Sequence, residues 1–200
     1  MKLFSLLLPV LLLAGCATTP VAVKVTSLEV FPAPGELPAH WQLSGRLSLT
    51  QGETGWHGGV DWTQAPGSYR LRVSGPLGQG GFLLSGNEQG VLLLDAGQRT
   101  YAAPDADTLL TNVTGWKLPV TGMRYWVRAI PDPASQFEAE IDAEGRLEQL
   151  SQAGWVIRYT SYHTTGDGRW PARLALVRDD VAVRMVIDQW QFGQTAAPLP

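Results

Sequence analysis

The side chains able to do chemistry are few and scattered. Three histidines, His40, His57 and His163, stand far apart, with no spacing that would bring two of them onto one metal ion. His57 sits in a glycine-rich stretch and reads as structural. No serine occupies a G-x-S-x-G turn of the kind that exposes a nucleophile. Asp105 and Asp107 open an apolar repeat at helical spacing, so they read as capping carboxylates rather than as a general acid and base. Asp179-Asp180 fits a tight turn between two alternating runs. The single cysteine, Cys16, leaves no disulfide framework and no cysteine metal site. The expectation is therefore no catalytic residue, no metal and no cofactor.

Length and charge narrow the classes further. A chain of 200 residues holds one domain with a full core, or two small ones. Its formal net charge is -3, with acids and bases interspersed, so it lacks the basic footprint that nucleic acid requires. Glycine (22) and proline (14) imply many turns.

The N-terminus reads as an address. Met1-Lys2 is followed by an apolar run, Leu3 to Leu13, of signal-peptide length and too short to span a bilayer as a helix. It closes in Leu13-Ala14-Gly15-Cys16, which resembles the lipobox of bacterial lipoproteins. The resemblance implies that residues 1–15 are a signal peptide cut before Cys16. Cys16 would then carry an N-acyl diacylglycerol anchor. Ala17, rather than aspartate, follows; in enterobacterial sorting logic this implies the outer membrane, with the protein lipid-anchored on the periplasmic face. Residues 16–36 show no periodicity and hold Pro20, Pro32, Pro34 and Gly35, so they are expected to form an extended, lipidated tether.

The elements that must position any site come next. Leu43, Leu47 and Leu49 alternate with Arg46, Ser48 and Thr50, and Tyr69, Leu71 and Val73 alternate with Arg70 and Arg72. Gly75-Pro76-Leu77-Gly78 fits a type I turn, with Leu77 near its tip. A lone exposed leucine needs no explanation, although turn tips are usually polar. Asp105 and Gly115 bracket one short helix, and a second is expected from Pro119 to Ile130. Val181, Val183, Met185 and Ile187 alternate with Arg184 and Asp188; Trp190 then falls on the Arg184 face unless a bulge shifts the register. The sum is about eleven antiparallel strands with two helices inserted after the sixth. Such a sheet curls, and its concave face is either filled with side chains or used as a cavity. Residues 37–192 read as a single β domain and 193–200 as a disordered tail.

The chain resembles the LolB family of outer-membrane lipoproteins. The resemblance rests on the lipobox, Trp62-Thr63-Gln64, Tyr69-Arg70-Leu71, Pro76-Leu77-Gly78 and Gly97-Gln98-Arg99 before Tyr101. It continues through Asp105-Ala106, Thr114-Gly115, Leu118-Pro119-Val120 and Arg124-Tyr125-Trp126. It implies a mainly β, unclosed antiparallel β-barrel with a short helical lid enclosing an apolar cavity. It also implies a function: accepting cargo lipoproteins from a LolA-like periplasmic carrier and inserting them into the outer membrane. Leu77, between Pro76 and Gly78, matches a protruding membrane-insertion leucine. Trp62, Trp126, Trp155 and Trp190 match tryptophans in or near the acyl-chain cavity, and an ordinary core is the competing reading for each. Met123 on the second helix suits a lid residue, because methionine adapts its shape. Two other functions fit the same residues: a lipid or glycolipid binder without insertion activity, and a structural envelope lipoprotein.

Overall fold

The computed structural model describes residues 22–76, 80–165 and 168–193. Twelve strands build one antiparallel sheet. In chain order they are β1 (Val23–Val25), β2 (Trp41–Gln51), β3 (Thr54–Ala65), β4 (Ser68–Ser74), β5 (Gly81–Asn87), β6 (Gly90–Asp95) and β7 (Thr100–Ala103), then β8 (Phe137–Ile141), β9 (Leu147–Gln152), β10 (Trp155–Thr165), β11 (Gly168–Arg178) and β12 (Val181–Phe192). Two helices, α1 (Ala106–Thr114) and α2 (Val120–Trp126), lie between β7 and β8. The order across the sheet is β1-β8-β9-β10-β11-β12-β2-β3-β4-β5-β6-β7, so β1 and β7 are its two edges and the barrel does not close. The mainly β, unclosed fold is the one the sequence implied.

Alternation explains which face is inside. Trp41, Leu43, Leu47 and Leu49 of β2 and Val181, Val183, Met185 and Ile187 of β12 are all buried and share one core with Leu109, Leu110, Met123 and Trp126 of the helices. The helices therefore cover the inner face. Asp105 caps α1 by accepting from the Thr108 N–H at 2.7 Å, and Gly115 ends it in the left-handed conformation (φ 79°) that glycine adopts without strain.

Three differences from the sequence reading matter. First, the sheet has a twelfth strand within the stretch read as a tether: Val23 pairs with Ile141 and Val25 with Ala139. Phe31 then packs edge-on against Phe137, with ring centroids 5.7 Å apart. Three residues are too few to display alternation, and the surrounding prolines mask them. Second, α2 stops at Trp126 instead of continuing to Ile130; Ala129 takes φ 57° and the chain turns, although Val127 and Ile130 stay buried. Third, a bulge at Asp188 resolves the register of β12. Ile187 faces Gly45 and Gln189 faces Ser44, so Asp188 is the extra residue and Trp190 returns to the core face. Gly45 permits this, since a Cβ there would stand 2.1 Å from the Val186 carbonyl oxygen. Cys16, Leu77, Gly78 and the 194–200 part of the expected tail lie outside the described residues.

Candidate functional site

The inner face carries a chain of aromatic rings. Trp62 lies 5.5 Å from Trp41, Trp41 5.7 Å from Trp190, Trp190 5.6 Å from Trp170, and Trp170 4.3 Å from Phe192, centroid to centroid. Tilted and edge-on contacts at these separations suit ring quadrupoles. The Trp190 indole N–H donates to the Pro171 carbonyl at 2.9 Å. The Trp62 indole N–H is buried and has no acceptor among the described residues. A second pair, Trp126 and Trp155, stands 6.5 Å apart beside the helices.

The helical cover is held differently at its two ends. At the C-terminal end of α2, the Trp126 indole N–H donates to Gln152 Oε1 at 2.8 Å, and the Tyr159 hydroxyl donates to the Trp126 carbonyl at 2.8 Å. Gln152, buried on β9, also accepts from the Asp132 N–H and donates to the carbonyls of Asp132 and Ser135. Its amide is fully engaged. Burial pushes the Tyr159 hydroxyl well above the ordinary phenol range, so it remains a donor.

At the other end the bonds are exposed. Gln51 Nε2 donates to the Gly115 carbonyl at 3.3 Å, and its Oε1 accepts from the Lys117 N–H at 3.2 Å. Asp107 accepts from the Thr121 N–H at 3.0 Å, which ties α1 to α2. Partial burial raises the Asp107 carboxyl above its ordinary range, the nearby Asp105 charge adds to the rise, and the N–H of Thr121 opposes it.

A cleft of about 520 Å³ runs between the α1–α2 connection and the β9–β10 and β11–β12 turns, and reaches Trp126, Asp132 and Ser135 beside the Gln152 bonds. Leu118, Pro119, Gly122, Trp126, Trp155 and Val181 line it, with Asp107, Lys117, Arg178 and Asp179 at its rim. A wider groove of about 950 Å³ runs past Leu28, Phe137, Trp155 and Val156.

The expected site residues separate into three groups. Trp126 and Trp155 meet at the cleft. Trp62, Trp190 and Met123 are 1%, 7% and 1% exposed and pack in the shared core; among the described clefts they line none. Pro76 is exposed at the end of β4, and Leu77 and Gly78 beyond it are not described. Sequence reasoning missed Gln152, Gln51 and Tyr159. No local pattern marks a glutamine whose partners lie 26, 20 and 17 residues away. It also missed Trp41 and Trp170 as members of the aromatic chain, although Trp41 stands two residues before Leu43 in the same alternation.

An unclosed antiparallel sheet whose inner face is aromatic and covered by two short helices defines the class of fold. Among solved structures, two superpose on the fold over most of their length. A DUF1329 family protein from Desulfovibrio piger superposes with a TM-score of 0.53 at 5% identity, covering 78% of this chain and 87% of that one. A LolA superfamily protein from Nitrosomonas europaea superposes with a TM-score of 0.52 at 7% identity, covering 86% of this chain and 96% of that one. These likenesses are of fold alone. The family profile described as "Outer membrane lipoprotein LolB" matches residues 39–190. Outer-membrane lipoprotein LolB of Pseudomonas aeruginosa is 37% identical over 97% of this chain and 98% of its own length. That of Nitrosococcus oceani is 34% identical over 96% and 98%. The chain belongs to the LolB family of outer membrane lipoproteins.

Proposed function

We propose that this protein is an outer-membrane-anchored receptor for lipoproteins. It accepts them from a LolA-like periplasmic carrier, holds their acyl chains against the aromatic inner face under the helical cover, and inserts them into the inner leaflet of the outer membrane. The observation that carries this reading, within the LolB family, is the cover itself: its hydrogen bonds to the sheet are buried at Trp126 and exposed at Gly115 and Lys117. A cover of that kind admits an apolar chain from one end. The Trp62 N–H, which has no acceptor among the described residues, supports the same reading, because a buried donor gains from any acceptor that a ligand carries in.

Cys16 serves as the acylated anchor and the turn bearing Leu77 as the part that meets the bilayer. Transfer between two cavities exchanges one burial of the same chains for another, so the large hydrophobic terms nearly cancel. Direction then needs only about 1.4 kcal/mol of differential affinity per tenfold bias. No catalytic group and no nucleotide is needed.

The test mixes the full-length protein, reconstituted in vesicles, with a carrier loaded with fluorescent lipoprotein. The cargo is expected to change hands and then enter the vesicle bilayer without nucleotide; a carrier that keeps its cargo refutes the reading. Leu77→Glu is expected to leave acceptance intact and slow delivery severalfold. Unchanged delivery by that variant removes the turn from the mechanism.

A further inference from the structure

The outer face of the sheet carries charge that the transfer reading does not use. Arg158 on β10, Arg173 on β11, Arg184 on β12 and Arg46 on β2 are all exposed and alternate with buried core residues. The strand register sets them side by side. Arg158 faces Ala175, which faces Arg184, which faces Ser48 and then His57. In the neighbouring row, Arg173 faces Val186, which faces Arg46, then Gly59, then Ser74. Four guanidinium groups thus surround the small apolar surface of Ala175 and Val186. Among the described residues the one carboxylate in ion-pair contact with any of them is Asp188, 2.8 Å from Arg46. Arg158 donates to the uncharged Gln149 amide at 3.0 Å. Within this patch four arginines stand against one aspartate, and Glu140, two strands beyond Arg158 in the same row, is the next carboxylate along it.

The second row has a direction. It reaches Ser74, the last residue of β4, and then Gly81, the first of β5, between which the chain makes the connection that holds Leu77. Four strand-to-strand steps of about 4.8 Å place Arg173 about 19 Å from the foot of that turn. A groove of about 480 Å³ beside the row is lined by Arg46, Arg173, Thr160, Ser161, His163 and Asp188. Guanidinium forks and hydroxyls are the donors that phosphate oxygens accept from most readily.

We propose that this outer face docks on the phosphate groups of an anionic phospholipid surface. Arg46, Arg158, Arg173 and Arg184 are its contact residues. The proposal rests on the membrane-delivery reading above. A lipid surface is favoured over an acidic protein by two features. The basic row is continuous with the turn assigned to the bilayer. Pairing of β1 also shortens the tether, since with the anchor at Cys16 only residues 17–22 precede Val23. Chain of that length reaches at most about 25 Å, which keeps the sheet against the membrane. A basic residue close to an anionic leaflet gains severalfold in affinity, and salt screens the gain.

The test uses the full-length protein in vesicles, with a fluorophore on Ser48→Cys between Arg184 and His57, and quencher-bearing lipid headgroups. Vesicles containing phosphatidylglycerol are compared with phosphatidylcholine alone. Quenching is expected only with the anionic lipid and is expected to fall as salt rises. Arg173→Glu with Arg184→Glu is expected to abolish it and to slow delivery into anionic vesicles about tenfold, with uptake from the carrier unchanged. Arg173→Gln with Arg184→Gln, which folds more readily, is expected to give an intermediate loss. Quenching indifferent to lipid charge and to these substitutions overturns the proposal. So does charge reversal that blocks uptake from the carrier, because the face then binds an acidic protein. Failure of the transfer reading looks different: the unsubstituted protein takes no cargo at all.

Discussion

The two ends of the helical cover use similar bonds to opposite effect. At Trp126 an indole N–H, a backbone carbonyl, Gln152 and Tyr159 are paired among buried side chains. At Gly115 and Lys117 the amide of Gln51 makes two bonds of slightly greater length in contact with water. A bond lost in the core strands both partners without solvent, whereas water replaces an exposed bond at little cost. The two bonds at Trp126 and the two made by Gln51 therefore differ in effect because of where they lie, and the further bonds of Gln152 to Asp132 and Ser135 add to the fixed end.

The comparison can be broken by substitution. Gln152→Leu leaves the Trp126 and Asp132 N–H groups without acceptors, and is expected to lower unfolding free energy by about 3 kcal/mol in denaturant titration. A loss near zero would mean that the α2 end is not fixed by this residue. Gln51→Ala is expected to cost less than about 0.5 kcal/mol. It should also raise hydrogen exchange at Lys117 and speed cargo uptake; unchanged exchange there would show that the exposed end is held by something else.

The smallest effect is electrostatic. The Asp107 carboxyl is raised by burial, so the folded state binds a proton more readily than the unfolded state does. Its contribution is therefore favourable at low pH and is lost as pH rises through the raised value. Asp107→Asn keeps an oxygen for the Thr121 N–H and removes the charge. The variant is expected to match the natural protein below the ordinary carboxylate range. Above the raised value it should exceed it by on the order of a few tenths of a kcal/mol, discounted for solvent screening. Thermal melts of both proteins across that range measure the difference. A gap that is the same at every pH would assign it to packing instead of charge.

Much of the scaffold was legible from the chain. The alternation in β2, β4 and β12 shows which side chains face inward, and Asp105 and Gly115 bracket α1 at the observed ends. The second helix was read too long, because Val127 and Ile130 keep the apolar stripe after the chain has turned. A stripe records burial, and a tight turn can bury the same positions that a helix would. The site was less legible. Its tryptophans could be counted, but their division into a core chain and a cleft pair follows from strand order across the sheet.

The sequence by itself determined most of the inward faces of the sheet and the position of the helices. Each of these is a property of near neighbours in the chain: a period of two, a cap, a spacing. Only the tertiary structure decided that Asp188 is a bulge and that Trp190 therefore turns inward. It also decided that Val23–Val25 forms the edge strand beside β8, that Gln152 bonds the end of the cover to the sheet, and that arginines from four strands stand together. Those outcomes depend on which residue lies opposite which, and that register is set by pairing between segments far apart in the chain, as where Trp41 lies opposite Phe192.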